Sequence, residues 1–327
     1  MMSLALQKIS SETVSFQCNA CGKCCNSAPL LSLKELFHHQ HLFVGSLALR
    51  KIKCNNAGDN LYAAEAVHVL SEQDAQLLES LAEAQFFKIP SADNYYLSIM
   101  TQAIDYETLK RCPALTEDNR CSIHDNRKPT VCSMVPFDST YPDSLQNIVL
   151  LSRQYDADCI VGGTREGFDI VIKDRTIVND RYRKALEQRR DDLSTEKQIW
   201  GQTVFELLKP ELFGNPITSV RIPGDEGLLS LSIVPVLMVL AGLSEKCKAR
   251  CINYVDSQIA LLEKMIAQAL IRKSTEDKPT TREFRSFLTH YLKLKSQLGE
   301  EKQSFYNLPA NEETRDLANR AENYLEL

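Results

Sequence analysis

Tryptophan is almost missing from this chain, with Trp200 alone among 327 residues, and aromatic side chains together make up only 7%. Positive charge is not in excess either. A net charge of −5 lacks the basic surplus that marks nucleic-acid-binding proteins, so no nucleic-acid partner is expected. No long apolar run exists. The most apolar stretch, LLSLSIVPVLMVLAGL from Leu228 to Leu243, has 16 residues, contains Pro235 and two serines, and falls short of the ~20 that a spanning helix needs. It predicts a buried helix and no membrane partner. The opening MMSLALQKISSETVSFQ has no basic region followed by a long apolar one, so it does not read as a secretory signal. These absences place the protein in the cytoplasm.

Familiar catalytic signatures are absent too. There is no G-x-S-x-G elbow, P-loop or H-E-x-x-H, which leaves hydrolase and kinase readings without residues to carry them. GGTREG, from Gly162 to Gly167, has the wrong spacing for a dinucleotide-binding loop. No internal repeat or low-complexity tract appears, and 43% hydrophobic with 25% charged residues is ordinary globular composition. No catalytic or organic-cofactor residue is assigned.

Cysteine is what the chain has in quantity. Nine of its 11 cysteines lie in the first 159 residues. In a reducing compartment, clustered cysteines more often bind metal than form disulfides. CNACGKCC puts Cys18, Cys21, Cys24 and Cys25 into eight positions. The C-x-x-C-x-x-C spacing lets one tight loop offer three thiolates and matches the start of a bacterial ferredoxin run, whose remote cysteine precedes proline as Cys112 precedes Pro113. Zinc knuckles with distant partners are the competing pattern. Adjacent Cys24 and Cys25 are expected to diverge, which suggests two metals side by side or a ligand beside a reactive thiol.

A second group follows in CPALTEDNRCSIHDNRKPTVCSMVPF, where Cys112, Cys121 and Cys132 are separated by eight and ten residues. With Cys159 the thiols number eight, enough for two four-thiolate sites. Lys23, Arg111, Arg120, Arg127 and Lys128 stand beside these positions, where cations lower thiol pKa values and donate to sulfur. His124 is an alternative ligand that eight thiols make unnecessary. His38 and His41 read as a helix-surface pair, Cys54 as a lone thiol in a polar segment, and Cys247 with Cys251 as packed or exposed thiols rather than ligands.

The whole pattern, C-x-x-C-G-x-C-C followed some ninety residues later by C-P-x-L, N-R-C-S-I and P-x-x-C, resembles the CxxCxxCC cysteine-cluster proteins of the YkgJ type, described as zinc- or iron-chelating. The resemblance covers about residues 14 to 165. It implies that Cys18, Cys21, Cys24, Cys25, Cys112, Cys121 and Cys132 are metal ligands, and Cys159 less securely. His124 and Ser133 depart from the family's usual aromatic and arginine. Flagellin lysine N-methylases are distantly associated with this family. They supply one alternative function, an S-adenosylmethionine-dependent protein-lysine methylase, with enzyme status open. A zinc-stapled module that docks a protein partner is another. The primary expectation is a metal-binding protein with an iron–sulfur cluster, preferred over zinc on the ferredoxin-like spacing.

The expected fold is α+β and mostly α: an irregular, metal-stapled N-terminal domain with short strands over residues 1–178, then a helical domain over 179–327. Capping boxes place helix starts at Ser32 with Glu35 and at Thr280 with Glu283. A helix is expected from Ser71 to Phe87 and strands over Tyr95–Tyr106, around Leu150 and around Val171. RYRKALEQRRDDL reads as a solvated helix or connector. Ile259, Leu262, Ile266, Ala269 and Leu270 are expected to share one buried face, as are Phe284, Phe287, Leu288, Tyr291 and Leu292. The residues from Arg111 to Phe137 have little apolar periodicity and need a staple.

Overall fold

A computed structural model describes residues 12–63, 66–90, 92–154, 157–214, 222–224, 227–299 and 311–327. Most of the segment tested for a secretory signal, residues 1–11, lies outside them. The fold mixes helices and strands, with helices dominating the C-terminal part. Two compact units are interleaved along the chain instead of being parted by one cut near residue 178: Met1–Lys23, Lys51–Leu97 and Lys128–Asp192 form one, and Cys24–Arg50, Ser98–Arg127 and Leu193–Leu327 the other.

In chain order the strands are β1 (Val14–Phe16), β2 (Val44–Lys53), β3 (Asn60–Ala63), β4 (Ala66–Val69), β5 (Phe87–Lys88), β6 (Tyr95–Ile104), β7 (Ile160–Gly162), β8 (Asp169–Lys173), β9 (Thr176–Ile177) and β10 (Leu229–Ser232). The helices are α1 (Leu33–His38), α2 (Glu72–Gln85), α3 (Thr130–Ser133), α4 (Gln146–Arg153), α5 (Asp180–Glu196), α6 (Gln202–Phe213), α7 (Val234–Ala241), α8 (Glu245–Arg272), α9 (Lys278–Gly299) and α10 (Glu312–Leu325).

The first unit is built on an antiparallel sheet in the order β7-β1-β8-β9. β1 sits inside it, pairing Phe16 with Ile160 on one side and with Asp169 on the other. Val14 and Phe16 bury their side chains with Val171, Ile172, Leu150 and Met134. α2 starts where Ser71 and Asp74 cap each other's backbone, and His68 reaches the same carboxylate at 3.2 Å. The expected strand around Leu150 is instead helix α4. A run of four apolar residues cannot separate strand from buried helix. Here the Gln146 side-chain amide donates to the carbonyls of Asp138 and Tyr141, anchoring a helical first turn. RYRKALEQRRDDL lies in α5, where Leu186 and Arg189 are buried, so the helix is not wholly solvated.

In the second unit β10 pairs antiparallel with β2, Leu229 opposite Leu49 and Ser232 opposite Ser46. The apolar stretch from Leu228 therefore opens as a strand, and its helix begins only at Val234. The serines break the apolar pattern into alternation before Pro235 takes an early position in α7. α8 buries Cys247, Cys251, Tyr254, Leu262, Ile266 and Ala269, and α9 packs against it with Phe284, Phe287, Tyr291 and Leu294. Leu270 and Leu292, expected in these faces, are more than half exposed. Thr280 does not cap α9, which starts earlier: buried Asp277 accepts from Arg272 at 2.8 Å and its carbonyl accepts from Thr281. Gln258 ties α8 to the chain entering β2, accepting from Gly45 N–H at 2.9 Å and donating to the carbonyls of Gln40 and Phe43. Gly45 is required there, because a Cβ would strike the Tyr254 hydroxyl. Among the described residues, no helix is long and apolar enough to cross a membrane.

Candidate metal centre

The eight candidate cysteines fall four and four. Cys18, Cys21, Cys132 and Cys159 belong to the first unit, and Cys24, Cys25, Cys112 and Cys121 to the second. None of the eleven cysteines is in a disulfide.

In the first unit, the pairing of β1 with β7 brings two of the four together. Gln17 N–H donates to the Cys159 carbonyl at 3.0 Å, extending the ladder one residue beyond Phe16 and Ile160. Cys18 thus leaves one strand end beside the residue that leads into the other. The loop then turns tightly, with Ala20 and Gly22 in the left-handed region at φ 53° and 75° and Asn19 Oδ1 accepting from Cys21 N–H at 3.3 Å. Glycine suits such a position and alanine is uncommon there. Cys132 sits on the short helix α3, whose Val131, with Val135 just after it, packs against the core that Cys159 also touches.

The second unit supplies closer detail. Cys24 and Cys25 share a 3₁₀ turn, Lys23–Cys25, and their sulfurs stand 4.0 Å apart. The expected divergence of these neighbours does not occur, because the tight turn swings both side chains to one side. Cys112 N–H donates to the Cys25 carbonyl at 2.7 Å. Cys121 then returns in a hairpin: Leu115 bridges Cys121, and Ser122 N–H donates to Ala114 at 2.8 Å. Asn119, at φ 58°, makes the turn. Burial pushes the Cys112 thiol up, and the neighbouring Cys121 adds to the shift.

Among the described residues, no three His, Cys, Asp or Glu side chains already surround one point closely enough to hold an ion. The donor chemistry nevertheless fits a thiophilic metal. Cys18, Cys21 and Cys24 are exposed and Cys25, Cys121, Cys132 and Cys159 half-buried, whereas Cys247 and Cys251 are fully packed inside α8. Free cysteines that act as apolar filler are buried; seven of these eight are not.

Of the flanking cations, Arg120 pairs with Asp118 at 3.3 Å and Arg127 with Glu326 at 3.3 Å, while Arg111 donates to the Leu115 carbonyl and its charge also acts to lower the Cys112 pKa. His124 is exposed and sits in the turn after Cys121, its N–H donating to that residue's carbonyl. His38 contacts Arg127 and Glu326, and His41 is exposed. The Gly162–Gly167 loop links strand β7 to strand β8, not a strand to a helix N-terminus. Sequence reasoning missed one polar cavity, around Cys54, because a lone cysteine among asparagines carries no motif. The chain matches no family model, no curated protein and no solved structure.

Proposed function

We propose that this is a metal-binding protein that holds two zinc ions in two four-thiolate sets, Cys18, Cys21, Cys132 and Cys159 in one and Cys24, Cys25, Cys112 and Cys121 in the other. The observation that carries the reading is the 4.0 Å separation of the Cys24 and Cys25 sulfurs. Two thiolates at ~2.3 Å from one tetrahedral zinc stand about 3.8 Å apart. A cubane cluster assigns each thiolate to a different iron and spreads them farther. This reverses the preference for iron that spacing alone supports.

Four thiolates leave a zinc ion no open position, so the role is structural. In this reading the first set joins the cysteine loop to α3 and the start of β7, and the second joins it to residues 112–121, which hold no helix and only an isolated bridge. Binding energy at such sites is folding energy. The test is metal content per chain in single variants of the full protein. Cys21→Ser and Cys121→Ser are each expected to lose one zinc and keep the other. Cys54→Ser keeps both. Loss of all metal in either single variant, or iron with sulfide in the wild type, contradicts the two-set assignment.

A further inference from the structure

Adjacent Cys24 and Cys25 have a chemistry open to them besides holding metal. Their sulfurs stand 4.0 Å apart on the 3₁₀ turn Lys23–Cys25, about 2 Å beyond the ~2.05 Å of a disulfide bond. Movement inside one short turn closes that gap. Access to solvent differs within their set: Cys24 is exposed and Cys25 half-buried, whereas Cys112 is only 8% exposed. Oxidation falls on accessible thiolates, so an oxidant arriving from solvent meets Cys24 first and finds Cys25 beside it. The peptide joining the two residues is trans, which holds their Cα atoms about 3.8 Å apart, below the ~4.4 Å lower end of ordinary disulfides. A bond between them is strained, and strained, exposed disulfides are the ones readily reduced again.

We infer that this pair is a reversible switch, sensitive to hydroperoxides, that discharges the second zinc set; the inference rests on the two-set reading above. The Cys24 thiolate attacks one peroxide oxygen, the O–O bond breaks, and Cys24 sulfenic acid and hydroxide result. The Cys25 thiolate then attacks the Cys24 sulfur, forming the S–S bond and expelling the second oxygen as hydroxide. Two electrons pass from the two sulfurs to the peroxide, and two solvent protons turn the hydroxides into water. Zinc is left with Cys112 and Cys121 and departs. A dithiol reductant reverses the change by thiol–disulfide exchange, which restores both thiols while the reductant is itself oxidised to a disulfide.

Treatment of the full zinc-loaded chain with one equivalent of hydrogen peroxide tests this, with free zinc read by a chromogenic chelator and cysteine state by peptide mass spectrometry. Zinc release should rise in step with the loss of two hydrogens from the peptide that carries Cys24 and Cys25, and dithiothreitol with added zinc should reverse both. Cys25→Ser removes the resolving thiol, so dimedone should trap Cys24 sulfenic acid several-fold more in that variant than in the wild type. The wild-type mass spectrum decides the matter alone if the variant does not fold. Metal content before peroxide is added tests the zinc reading separately: a chain without zinc sinks that reading, whereas a zinc-loaded chain that forms no Cys24–Cys25 bond overturns the switch. Zinc retained while the bond forms, or a disulfide from Cys24 to any other cysteine as the main product, would also overturn it.

Discussion

At the level of single residues, the eleven cysteines divide by environment, and the division is chemical. Cys251 is wholly enclosed in α8, and burial, then the neighbouring Cys247, raises its pKa far above the ordinary value. Burial followed by Glu79 and Glu83 raises Cys54. Thiolate is the reactive form, so a raised pKa and burial both slow alkylation. Metal-free native protein treated briefly with iodoacetamide should label Cys18 and Cys21 first and Cys54, Cys247 and Cys251 last, as read by peptide mass spectrometry. Early labelling of Cys251 would contradict the packing described for α8. Restoring zinc should protect Cys18 and Cys21 while leaving the slow group slow.

Among the helices and strands, Gln258 and His38 show how side chains set where elements dock. Gln258 is fully buried and serves three backbone groups of residues 40–45. Gln258→Ala removes all three partners and should cost about 2–4 kcal/mol in denaturant unfolding, since buried groups left unpaired cost ~1–3 kcal/mol each and solvent recovers part. His38 on α1 meets Arg127 and Glu326, with Arg250 and His39 also acting on it. Burial first, then Arg127, lowers its pKa below 6.5, while Glu326 opposes the shift. The unfolded chain thus binds the proton more readily than the folded one. His38 stabilises the fold above pH 6.5, and that stability is lost as pH falls through its lowered folded value. The melting temperature should drop on acidification below this range, and less steeply in His38→Gln. An identical pH profile in that variant would show that His38 does not contribute. Helix starts are legible where the signal is local: Ser32 and Glu35 cap α1 as their spacing implies. The same spacing misleads at Thr280 because Asp277, buried through its pairing with Arg272, begins the helix one turn sooner, and nothing local announces that partner. Leu270 and Leu292 depart from expectation for a related reason. Each lies one position from a buried residue, Ala269 and Tyr291, and periodicity alone does not resolve a one-residue step at the edge of a face.

Across the chain as a whole, the candidate ligands are legible in the sequence and their grouping is not. Cysteine spacing singles out all eight positions, because thiols crowded this closely, in a chain that elsewhere has few, point to a shared ligand. The proposed grouping rests in part on the pairing of residue 17 with residue 159 and of residue 25 with residue 112, contacts between segments that no local pattern encodes. The interleaving of the two units follows from those same long-range pairings. If metal ties these segments, its removal should be felt throughout the fold. Chelation is expected to lower the melting temperature and expose the Arg111–Phe137 region to protease before the α8–α9 helices are cut. Preferential early cleavage of those helices would argue that the cysteine-rich segments hold together without metal. Assignment of two closed thiolate sites is tested most directly by X-ray absorption at the metal edge of the full protein, together with the metal count per chain. Two zinc ions are expected, each surrounded by four sulfurs at about 2.3 Å. Iron with short metal–metal scattering, or a shell with fewer than four sulfurs, would contradict that assignment.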